Sequence, residues 1–427
     1  MSQRIDAYLF GQILGTHSFL LKGGFLQPDE YSEIQEQYFL PGGETGTAAT
    51  VLESLGMRVR MDGTWIGTEV APMLKEFYKN KKVDLSALTF TEDAGVMDYV
   101  VISGLVRSPM GRFQHLFSSG KRFWNIPKEE DIAGCKAAAV DPFFGDESLK
   151  VAEICKKLNI PYVTIDSPHD SPLHKMAAVN VVSKECTGQH YKGMSAEEIM
   201  KKMQAETEGL TIITQGGGEM LYARKGGEIK HMKPFPVEVK STLGAGDTFK
   251  AGCVYGLIMG MKDDELVRFA SACSGIAISR FPLPLNPPKW HEVELLLQSA
   301  EVQNKPDYSD VIGRSVSGVI DRPLNTAHPR HPDMIYPINY GYVEGLIAGD
   351  GAEQDIYLFD CEEPVKTYSG KVIAVYHRTN DVEDKWIVVP ENSKYAENPS
   401  LLSDEEILKK IEFQEKYFAG RLYRATV

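Results

Sequence analysis

Short apolar segments alternate with helical segments through the middle of the chain. Ala137–Val140, Tyr162–Ile165, Val179–Val182 and Leu210–Thr214 are mostly apolar runs, and Leu149–Leu158 has the spacing of an amphipathic helix. Apolar strands that alternate with helices are typical of a parallel sheet covered on both faces. The pattern therefore predicts a doubly wound α/β domain, in which ligands bind beyond the carboxyl ends of the strands.

Polar residues follow two of these predicted strands. Ser183 and Glu185 come after the third of them, and Thr214 and Gly216 lie at the end of the fourth. Because the carboxyl ends of parallel strands meet at one edge of the sheet, we expect these four residues to line one ligand site. Strand-end turns also carry such residues without binding anything, and the sequence leaves that alternative open.

A glycine-rich stretch at 241–252 leads into an apolar helical run. Gly244 and Gly246 have no Cβ, so the backbone can approach a ligand and adopt positive φ. The amides from Ala245 onward would point out of a helix N-terminus, which carries about half a positive charge and suits phosphate. Asp247 stands beside this anion site, where a carboxylate is useful for taking a proton from an attacking hydroxyl. The alternative is an ordinary loop that Asp247 caps.

Residues 242–252, Thr-Leu-Gly-Ala-Gly-Asp-Thr-Phe-x-Ala-Gly, closely resemble the C-terminal signature of the ribokinase-like (PfkB) carbohydrate kinases. The resemblance implies that the backbone of Gly244, Ala245 and Gly246 forms an anion hole for the transferring phosphoryl group. It also implies that Asp247 is the catalytic base.

The same resemblance implies ATP as co-substrate, together with Mg²⁺. The region of Ser183 and Glu185 would help to hold magnesium and phosphates, and Thr214 and Gly216 would line the nucleotide site. The phosphate site is not of the Walker type, because the sequence contains no Gly-x-x-x-x-Gly-Lys-Ser/Thr string.

Two N-terminal segments resemble the acceptor-binding parts of the same family. After the first predicted strand, in what we expect to be a loop, Thr16 stands where the family has a sugar-binding aspartate, and His17 follows it. The segment Pro41-Gly-Gly-Glu-Thr-Gly-Thr resembles the N-terminal signature, with Gly43 in the glycine pair and Thr47 where an asparagine is usual. The resemblance implies that Thr16, His17, Gly43 and Thr47 bind the acceptor. Their departures from the pattern leave a sugar, a cyclitol or a nucleoside open.

The segments His17–Leu21, Gln37–Leu40 and Tyr99–Leu105 are β-prone and would form the small sheet that covers the substrate in this family. The resemblance thus predicts a doubly wound ribokinase-like domain with a small β-sheet lid. It also leaves open a homodimer through the lid sheet. We assign residues 1–300 to this domain, because the polar segment Gln298–Asp310 is typical of a linker.

Residues 311–427 have a different composition, rich in strand-forming residues and tyrosine, with Asp and Glu in short groups. The strings Tyr336-Pro-Ile-Asn-Tyr-Gly-Tyr and Asp350-Gly-Ala-Glu-Gln-Asp resemble those of the soluble (family I) inorganic pyrophosphatases, and the similarity extends over nearly the whole segment. The resemblance implies an α+β domain built on a β-barrel of the pyrophosphatase/OB-like type. Its carboxylates would bind magnesium ions that activate water against pyrophosphate.

That resemblance assigns roles by position. It implies Asp350, Asp355 and Glu383 as metal ligands, Tyr340, Lys385 and Tyr417 as phosphate contacts, and Asp321 as an early acidic residue. Two positions depart from the family: a ligand aspartate falls on Ala352, and a late lysine falls on Phe418. We therefore expect pyrophosphate hydrolysis at a reduced rate, because one ligand and one cationic phosphate contact are lost. A barrel kept only for structure or regulation is the alternative.

Chain-wide features exclude several classes of protein. A formal net charge of −13 argues against a general nucleic-acid binder. The six cysteines are scattered without a Cys-x-x-Cys pair, which fits reduced thiols better than disulfides or a zinc site. The N-terminus lacks the pattern of a secretion signal, and no apolar run reaches the roughly 18 residues of a membrane span. We expect a cytoplasmic protein without a nucleic-acid or membrane partner.

The motifs together favour an ATP- and Mg²⁺-dependent kinase that phosphorylates a hydroxyl of a small polar acceptor, fused to a pyrophosphatase-like domain. Phosphoryl transfer from ATP releases ADP and not pyrophosphate, so two alternatives stay open. In one, pyrophosphate is itself the phosphoryl donor or a regulator. In the other, the protein is a non-catalytic sensor of sugar and phosphate. The presence of Asp247 in a complete Gly-Ala-Gly-Asp string argues against the sensor.

Overall fold

The computed structural model describes residues 4–25, 29–103, 106–113, 115–303, 308–328, 331–348, 351–378, 383–418 and 420–424. The chain divides into two units, Met1–Gln303 and Asn304–Val427, each with its own core. The boundary falls within Gln298–Asp310, the segment that composition assigned to a linker. A helix continues through the first part of that segment as far as Gln303.

The first unit consists of a large sheet, a small sheet and the helices around them. In chain order its strands are β1 (Ala7–Gly11), β2 (Leu14–Leu21), β3 (Ile34–Gly42), β4 (Val59–Gly63), β5 (Val83–Asp84), β6 (Met97–Ser103), β7 (Val106–Arg112), β8 (Ala137–Val140), β9 (Tyr162–Ile165), β10 (Val179–Val182), β11 (Leu210–Ile213), β12 (Met220–Ala223) and β13 (Lys230–Met232). Its helices are α1 (Gly43–Ser54), α2 (Ala71–Tyr78), α3 (His115–Ser118), α4 (Glu129–Ile132), α5 (Asp146–Leu158), α6 (Pro172–Met176), α7 (Lys184–His190), α8 (Ala196–Gln204), α9 (Ala245–Met259), α10 (Asp263–Ile278) and α11 (Trp290–Gln303).

The large sheet has the strand order β13-β12-β11-β10-β9-β8-β1-β4-β5. The strands from β11 to β5 run parallel, as predicted, whereas β12 and β13 pair antiparallel at one edge. Strands β8 and β10 are buried at every position, which is why their residues are apolar except for Asn180, whose amide donates to the Ser167 carbonyl. Strand β12 is equally buried, so its apolar pattern does not distinguish its direction.

Helices cover both faces of the large sheet. Leu9 packs in one core cluster with residues of α1, α9 and α10, whereas Tyr8 and Phe10 pack in another with residues of α5. This separation follows from the alternation of side chains along a strand. Gly252 lets α9 and α10 approach closely, since a Cβ there would lie 2.6 Å from the Cα of Ala270.

The small sheet, which we call the lid, forms from the three segments predicted to cover the substrate and from β7. Its strand order is β3-β2-β6-β7. Strand β2 is antiparallel to β3 and parallel to β6, and its register places Thr16 between Leu40 and Asp98. Because successive residues of a strand point to opposite faces, Thr16 and His17 lie on different faces of the lid.

The second unit is built on a ring of strands. In chain order its elements are β14 (Ser315–Arg322), β15 (Ala327–His328), β16 (His331–Ile335), β17 (Asn339–Ile347), β18 (Glu353–Leu358), β19 (Thr367–Arg378), β20 (Lys385–Pro390), α12 (Lys394–Glu397), α13 (Asp404–Glu415) and β21 (Gly420–Tyr423). Strands β14, β17, β18, β20 and β19 pair in that order, and β19 pairs again with β14 to close a five-stranded barrel. None of the helices in the described ranges combines the length and apolar character that crossing a bilayer requires.

Two cores stabilise the second unit. Ile356 and Leu358 of β18 belong to one cluster, whereas Tyr357 between them packs in another with Ile407 and Ile411 of α13. The acidic-to-basic pattern of Asp404–Arg421 predicts a single helix over the whole segment. The helix ends at Glu415, and the following residues form β21, which pairs with β19.

Candidate active site

Asp141 follows β8 and is a buried carboxylate at the centre of the first unit. Its Oδ2 accepts hydrogen bonds from the backbone N–H of Gln12 (2.9 Å) and from the hydroxyl of Thr45 (3.1 Å). Gly11 is required beside it, since a Cβ there would lie 1.8 Å from Asp141 Oδ2. These contacts tie the ends of β1 and β8 to the first turn of α1. Asp141 was not predicted as a site residue, because its partners lie far from it along the chain.

Lys250 pairs with Asp141 inside the protein. Its Nζ lies 2.6 Å from Asp141 Oδ1, and the two side chains are 0% and 1% exposed. Burial opposes the charge of the ammonium group, but the carboxylates of Asp141 and Asp247 outweigh it, so the pKa of Lys250 is raised above its ordinary value. The site therefore contains a permanent buried cation one helical turn after Asp247.

The glycine-rich loop has the geometry predicted for anion binding. Gly244 is the N-cap of α9 with a φ of 78°, and a Cβ there would lie 3.1 Å from Thr47 Cγ2. The helix begins at Ala245. The amides of Gly246 and Asp247 lie in the first turn, where no intrahelical acceptor is available, whereas the Ala245 amide donates to the Thr242 carbonyl (3.3 Å). This arrangement supports the predicted anion hole. We call its residues, Gly244–Gly246, the anion loop.

Asp247 lies in this first turn among other charged groups. Burial raises the pKa of its carboxyl group, Lys250 opposes the shift, and Asp141 and Asp166 reinforce it. Asp166 follows β9 with a φ of 44°, and its Oδ1 accepts a hydrogen bond from the backbone N–H of Ser183 (2.7 Å). A carboxylate with a raised pKa is a stronger base, which favours proton abstraction from a hydroxyl.

Glu44 is a further buried carboxylate, in the first turn of α1. Among the described residues its Oε2 has no hydrogen-bond partner. Burial, and then the charges of Asp141 and Asp247, raise the pKa of Glu44 to about 8. At neutral pH this side chain is therefore mostly protonated, and the folded protein retains a proton that an exposed glutamate would have lost.

We expect the stability of the first unit to fall between about pH 5 and pH 8 because of Glu44. Its pKa is about 8 in the fold against 4.5 for an ordinary glutamate. The folded state then binds more protons than the unfolded state, so the free energy of unfolding decreases by up to about 1.4 kcal/mol per pH unit. Urea unfolding at several pH values should show a smaller decrease for Glu44→Gln than for the wild type.

Glu53→Gln is the matched control, because Glu53 lies in the last turn of the same helix and its side chain bonds the backbone of Lys82 at the surface. This variant should keep the pH dependence of the wild type. Equal slopes for the wild type and Glu44→Gln would contradict the assignment.

Three predicted acceptor residues lie close to the anion loop. Thr16 in β2 is buried, and its Oγ1 faces Gly42, where a Cβ would lie 1.8 Å away. Gly43 begins α1 with a φ of 76°, a conformation that favours glycine. Thr47 lies about one turn further along α1, and its Cγ2 is 3.1 Å from the position that a Cβ of residue 244 would occupy. Thr47 thus lies beside the anion loop and Gly43 begins the helix that carries it, and the acceptor site of Thr16, Gly43 and Thr47 stays a prediction.

His17 is a correction to the predicted pocket. It lies on the opposite face of β2 from Thr16, where its ring stacks on Phe39 (4.1 Å between centroids) and Tyr99 (4.9 Å). Burial also lowers the pKa of the His17 imidazole. The prediction placed Thr16 in a loop and began the β-prone segment at His17. Strand β2 already begins at Leu14, and the alternation of a strand turns neighbouring side chains to opposite faces.

The predicted nucleotide residues lie at the ends of the neighbouring strands β10 and β11. Ser183 is the N-cap of α7, with its Oγ accepting from the Cys186 N–H (3.1 Å), and Glu185 is exposed in the first turn of the same helix. Thr214 follows β11, and the exposed Gly216 has a φ of 61° with open space around it. Their common location at one sheet edge supports the nucleotide site, which stays a prediction.

A family model described as pfkB family carbohydrate kinase matches residues 173–285, a range that includes the anion loop and Asp247. The structure of Arabidopsis thaliana ribokinase complexed with ribose and ATP has the same fold: the TM-score is 0.58 at 15% identity, over 69% of this chain and 99% of that one. The two findings together support a ribokinase-like (PfkB) carbohydrate kinase domain in the first unit.

Relatives of known activity match the chain over different lengths. The 5-dehydro-2-deoxygluconokinase of Bacillus licheniformis is 28% identical over 302 residues, which are 66% of this chain and 83% of that protein. The 5-dehydro-2-deoxygluconokinase of Bacillus subtilis is 28% identical over 108 residues, only 33% of its length and 25% of this chain. The identity of the acceptor therefore depends on the residues of this chain's own acceptor site.

Charged and aromatic side chains of the second unit surround a cavity of about 530 Å³. Lys385 Nζ lies 2.5 Å from Asp355 Oδ2 and 2.6 Å from Glu383 Oε1. Tyr340 donates its hydroxyl hydrogen to Asp355 and accepts a hydrogen bond from Lys385 (2.9 Å). The structure thus brings together two of the predicted metal ligands and two of the predicted phosphate contacts.

The two central carboxylates titrate differently. Burial opposes the ionisation of Asp355, but hydrogen bonds from Glu383 and Lys385 hold its pKa below the ordinary value. Burial and the hydrogen bond to Asp355 raise the pKa of Glu383 to about 7. Two carboxyl groups in contact are typical of a site that shares a proton or binds a cation.

The donor set fits a magnesium ion in part. Asp355 and Glu383 offer hard oxygen ligands, and Glu353, next to Ala352, lines the same cavity. Within the described ranges, no group of three or more Asp, Glu, His or Cys side chains is arranged to hold a metal ion. Asp350 lies outside the described residues, so the metal site of Asp350, Asp355 and Glu383 stays a prediction.

Arg378 of β19 places a cation beside Phe418. Its guanidinium carbon lies 3.5 Å from the centroid of the Phe418 ring, and the group pairs with Glu415 (2.8 Å) and Glu383 (3.3 Å). Arg378 thus supplies a guanidinium beside Phe418, the position where the resemblance to pyrophosphatases implies a lysine. Tyr417 is 65% exposed and is not among the lining residues, because α13 ends before it. The structure thus corrects its predicted phosphate contact.

Proposed function

We propose that the kinase domain transfers the γ-phosphoryl group of ATP to a hydroxyl of a small polar acceptor. The observation that carries the proposal is the position of Asp247, in the first turn of α9 and next to the anion loop. Thr47 lies close to Gly244 of this loop, and Gly43 begins the helix that carries Thr47. The family match and the ribokinase fold support this reaction class.

Each group has a defined part in the proposed reaction. Asp247 takes the proton as the acceptor oxygen bonds to the γ-phosphorus and the bond to the bridging oxygen breaks, releasing ADP. The first-turn amides and the positive end of α9 stabilise charge on the phosphoryl oxygens, and Lys250 stabilises the ionised base from within. Bound Mg²⁺ would neutralise the phosphate charge, and Asp166 and Glu185 are the carboxylates at that strand edge that suit such a cation.

The test is acceptor-dependent formation of ADP. The full chain is supplied with ATP, Mg²⁺ and, one at a time, D-ribose, D-fructose, myo-inositol or inosine, and phosphorus NMR locates the new phosphate ester. We expect ADP to form only when an acceptor is present. Calorimetric binding of these compounds without any ADP would favour the sensor, whereas neither binding nor turnover would contradict both functions.

We also propose that the second unit binds pyrophosphate with Mg²⁺ and hydrolyses it to two phosphates. Lys385, Arg378 and Arg322 are the cations around its cavity, facing Asp355 and Glu383. Arg322 Nε is buried and, among the described residues, lacks a hydrogen-bond partner. A diphosphate oxygen is an acceptor of the strength that a guanidinium matches best.

We expect the full chain to release phosphate from magnesium pyrophosphate, and Asp355→Asn to lower the rate at least ~10-fold. Asp355 is held ionised by Lys385, and an amide oxygen is a weaker cation ligand than a carboxylate. Phosphate release at a fixed pyrophosphate concentration gives the rates. Glu405→Gln, which changes an exposed carboxylate on α13, is the matched control and should behave as the wild type.

Three results would change the proposal for the second unit. Neither phosphate release nor Mg²⁺-dependent binding of pyrophosphate would make it a structural module. Equal rates for Asp355→Asn and the wild type would move the activity elsewhere. Consumption of pyrophosphate only with an acceptor present, and without ATP, would make pyrophosphate the phosphoryl donor.

The face of the lid opposite Thr16 supports a further partner, a second copy of this chain. His17, Phe39 and Tyr99 form a stacked row of partly buried rings there, with Phe39 also packed against the main core. Partly exposed aromatic surface of this kind is typical of association sites. We therefore propose that the chain forms a homodimer through the lid sheet.

A further inference from the structure

Asp98 of β6 is the carboxylate next to Thr16 in the lid. The two residues are register partners in the parallel pair β2–β6, so their side chains share a face. The Thr16 hydroxyl hydrogen-bonds to the Asp98 carboxylate. Gly42 makes this contact possible, because a Cβ at position 42 would lie 1.8 Å from Thr16 Oγ1.

One oxygen of this carboxylate is left over. Asp98 Oδ1 is buried and has no hydrogen-bond partner among the described residues. An unsatisfied buried carboxylate oxygen costs free energy that a bound hydroxyl donor would recover. Burial, and then the charge of Asp247, raise the pKa of Asp98 to about 6, so the group is mostly ionised at neutral pH and lies within electrostatic reach of the proposed base.

We propose that Asp98 binds a hydroxyl of a neutral polyol acceptor and thereby selects the substrate class of the kinase domain. The inference rests on the proposed phosphoryl transfer. Position 16 carries a threonine, and the adjacent strand β6 supplies a carboxylate at the register position directly beside it. The Thr16 hydroxyl orients Asp98 and leaves Oδ1 for the ligand.

The charges around the pocket decide between neutral and anionic acceptors. The charge of Asp247 acts on Asp98, Glu44 is mostly protonated and adds no full charge, and the Lys250 ammonium is engaged by Asp141. An acceptor that carries a carboxylate or phosphate would bring a like charge next to Asp98 in a partly desolvated pocket, which is unfavourable. A neutral sugar, cyclitol or nucleoside ribose brings only hydroxyl donors.

The guanidinium of Arg107 lies near the proposed base Asp247. Arg107 of β7 donates from Nη1 to the Thr242 carbonyl (2.8 Å) and lowers the pKa of Asp247. Thr242 lies two residues before the anion loop, so the guanidinium is held near that loop, where the proposed reaction places the transferring phosphoryl group. The acceptor beside Thr16 and Asp98 therefore faces carboxyl groups, while Arg107 faces the phosphate.

The experiment compares matched neutral and anionic acceptors: D-ribose with D-ribose 5-phosphate, and D-fructose with D-fructose 6-phosphate. ADP formation gives kcat/KM for each acceptor and KM for ATP, in the wild type, Asp98→Asn and Asp98→Ala. We expect the wild type to prefer the neutral member of each pair. We expect Asp98→Ala to lower kcat/KM for it by about 10- to 100-fold, with the KM for ATP unchanged. Asp98→Asn should lose less, because its amide oxygen still accepts a hydrogen bond.

Glu33→Gln is the control, since Glu33 pairs with Lys22 at the lid surface, where the two side chains are 63% and 71% exposed. It should match the wild type. Preference for the anionic acceptors, or an unchanged kcat/KM in Asp98→Ala, would overturn the inference while the kinase function stands. If no acceptor is phosphorylated, the proposed function fails. Asp98 is then judged by calorimetric binding of D-ribose and D-fructose, which Asp98→Ala should weaken and which, if absent or unchanged, would overturn the inference too.

Discussion

Replacing Asp247 by asparagine is expected to leave ATP binding unchanged and to lower kcat by about 10²–10⁴-fold, the range for loss of a positioned general base. The amide has nearly the size and shape of the carboxylate, so the anion loop and the start of α9 should keep their geometry. It does not accept the proton that the acceptor hydroxyl must lose. The kcat of ADP formation and the calorimetric Kd for ATP measure the two effects separately.

Asp146→Asn is the matched control. Asp146 lies, exposed, in the first turn of α5, so the variant makes the same chemical change at another helix start. Its kcat should equal that of the wild type. A kcat for Asp247→Asn within a few-fold of the wild type would contradict the base assignment, and parallel losses of kcat and ATP affinity would indicate a structural role.

The pH profile gives an independent check on Asp247. Burial raises the pKa of its carboxyl group, so acidification removes the basic form at a higher pH than for an ordinary aspartate. The acid limb of kcat/KM in the wild type should therefore lie above the usual value of about 4. In Asp247→Asn the remaining activity should lose that limb.

The anion loop was predictable because its parts are contiguous in the sequence. Two glycines, the first turn of α9 and Asp247 lie within one short stretch, and their spacing alone places the base beside the amides. The strand-end residues Ser183 and Thr214 were predictable for a related reason. Apolar runs mark the strands, and the fold brings the carboxyl ends of parallel strands together.

The residue pairs that complete the site depend on strand order and register. The periodicity of apolar residues along the sequence does not reveal either. Lys250 and Asp141 are 109 residues apart. The contact between Thr16 and Asp98 depends on how β6 aligns with β2. In the sequence, Lys250 occurs in an apolar helical run and Asp98 in a β-prone segment, and nothing local distinguishes either from a solvated charge.

His17 and Arg378 illustrate two different limits. In a strand, successive side chains alternate between the two faces, which separates His17 from Thr16. The family resemblance places Thr16 in a loop, where this alternation does not hold. Arg378 carried no such signal. Its position beside Phe418 depends on the return of the chain after α13, where the sequence predicted a continued helix.

Lys250→Met is expected to lower the free energy of unfolding of the kinase domain by about 3–5 kcal/mol, the range for breaking a buried ion pair by removing one partner. Methionine keeps most of the side-chain volume, so the uncompensated carboxylate dominates over any cavity. Asp141 remains buried and bonded to the Gln12 N–H and the Thr45 hydroxyl. Urea unfolding at pH 7 measures the change.

Lys157→Met provides the comparison at the surface. Lys157 lies 2.6 Å from Glu129, but the two side chains are 66% and 45% exposed. An exposed pair contributes only about 0–1 kcal/mol, because water solvates each partner once the other is removed. If Lys250→Met lowered the free energy of unfolding no more than Lys157→Met, the buried pair would stabilise the fold no more than an exposed pair.

Asp141→Asn in the Lys250→Met background separates the unpaired charge from lost packing. If the carboxylate is the main cost, neutralising it should recover a large part of the lost stability, and no recovery would mean that packing was responsible. Activity should not recover with it. Lys250 opposes the burial that raises the pKa of Asp247, so without it more of the base is protonated at neutral pH and the acid limb of kcat/KM moves to higher pH. A double variant with restored stability and wild-type kcat/KM would show that Lys250 stabilises the fold without acting on the base.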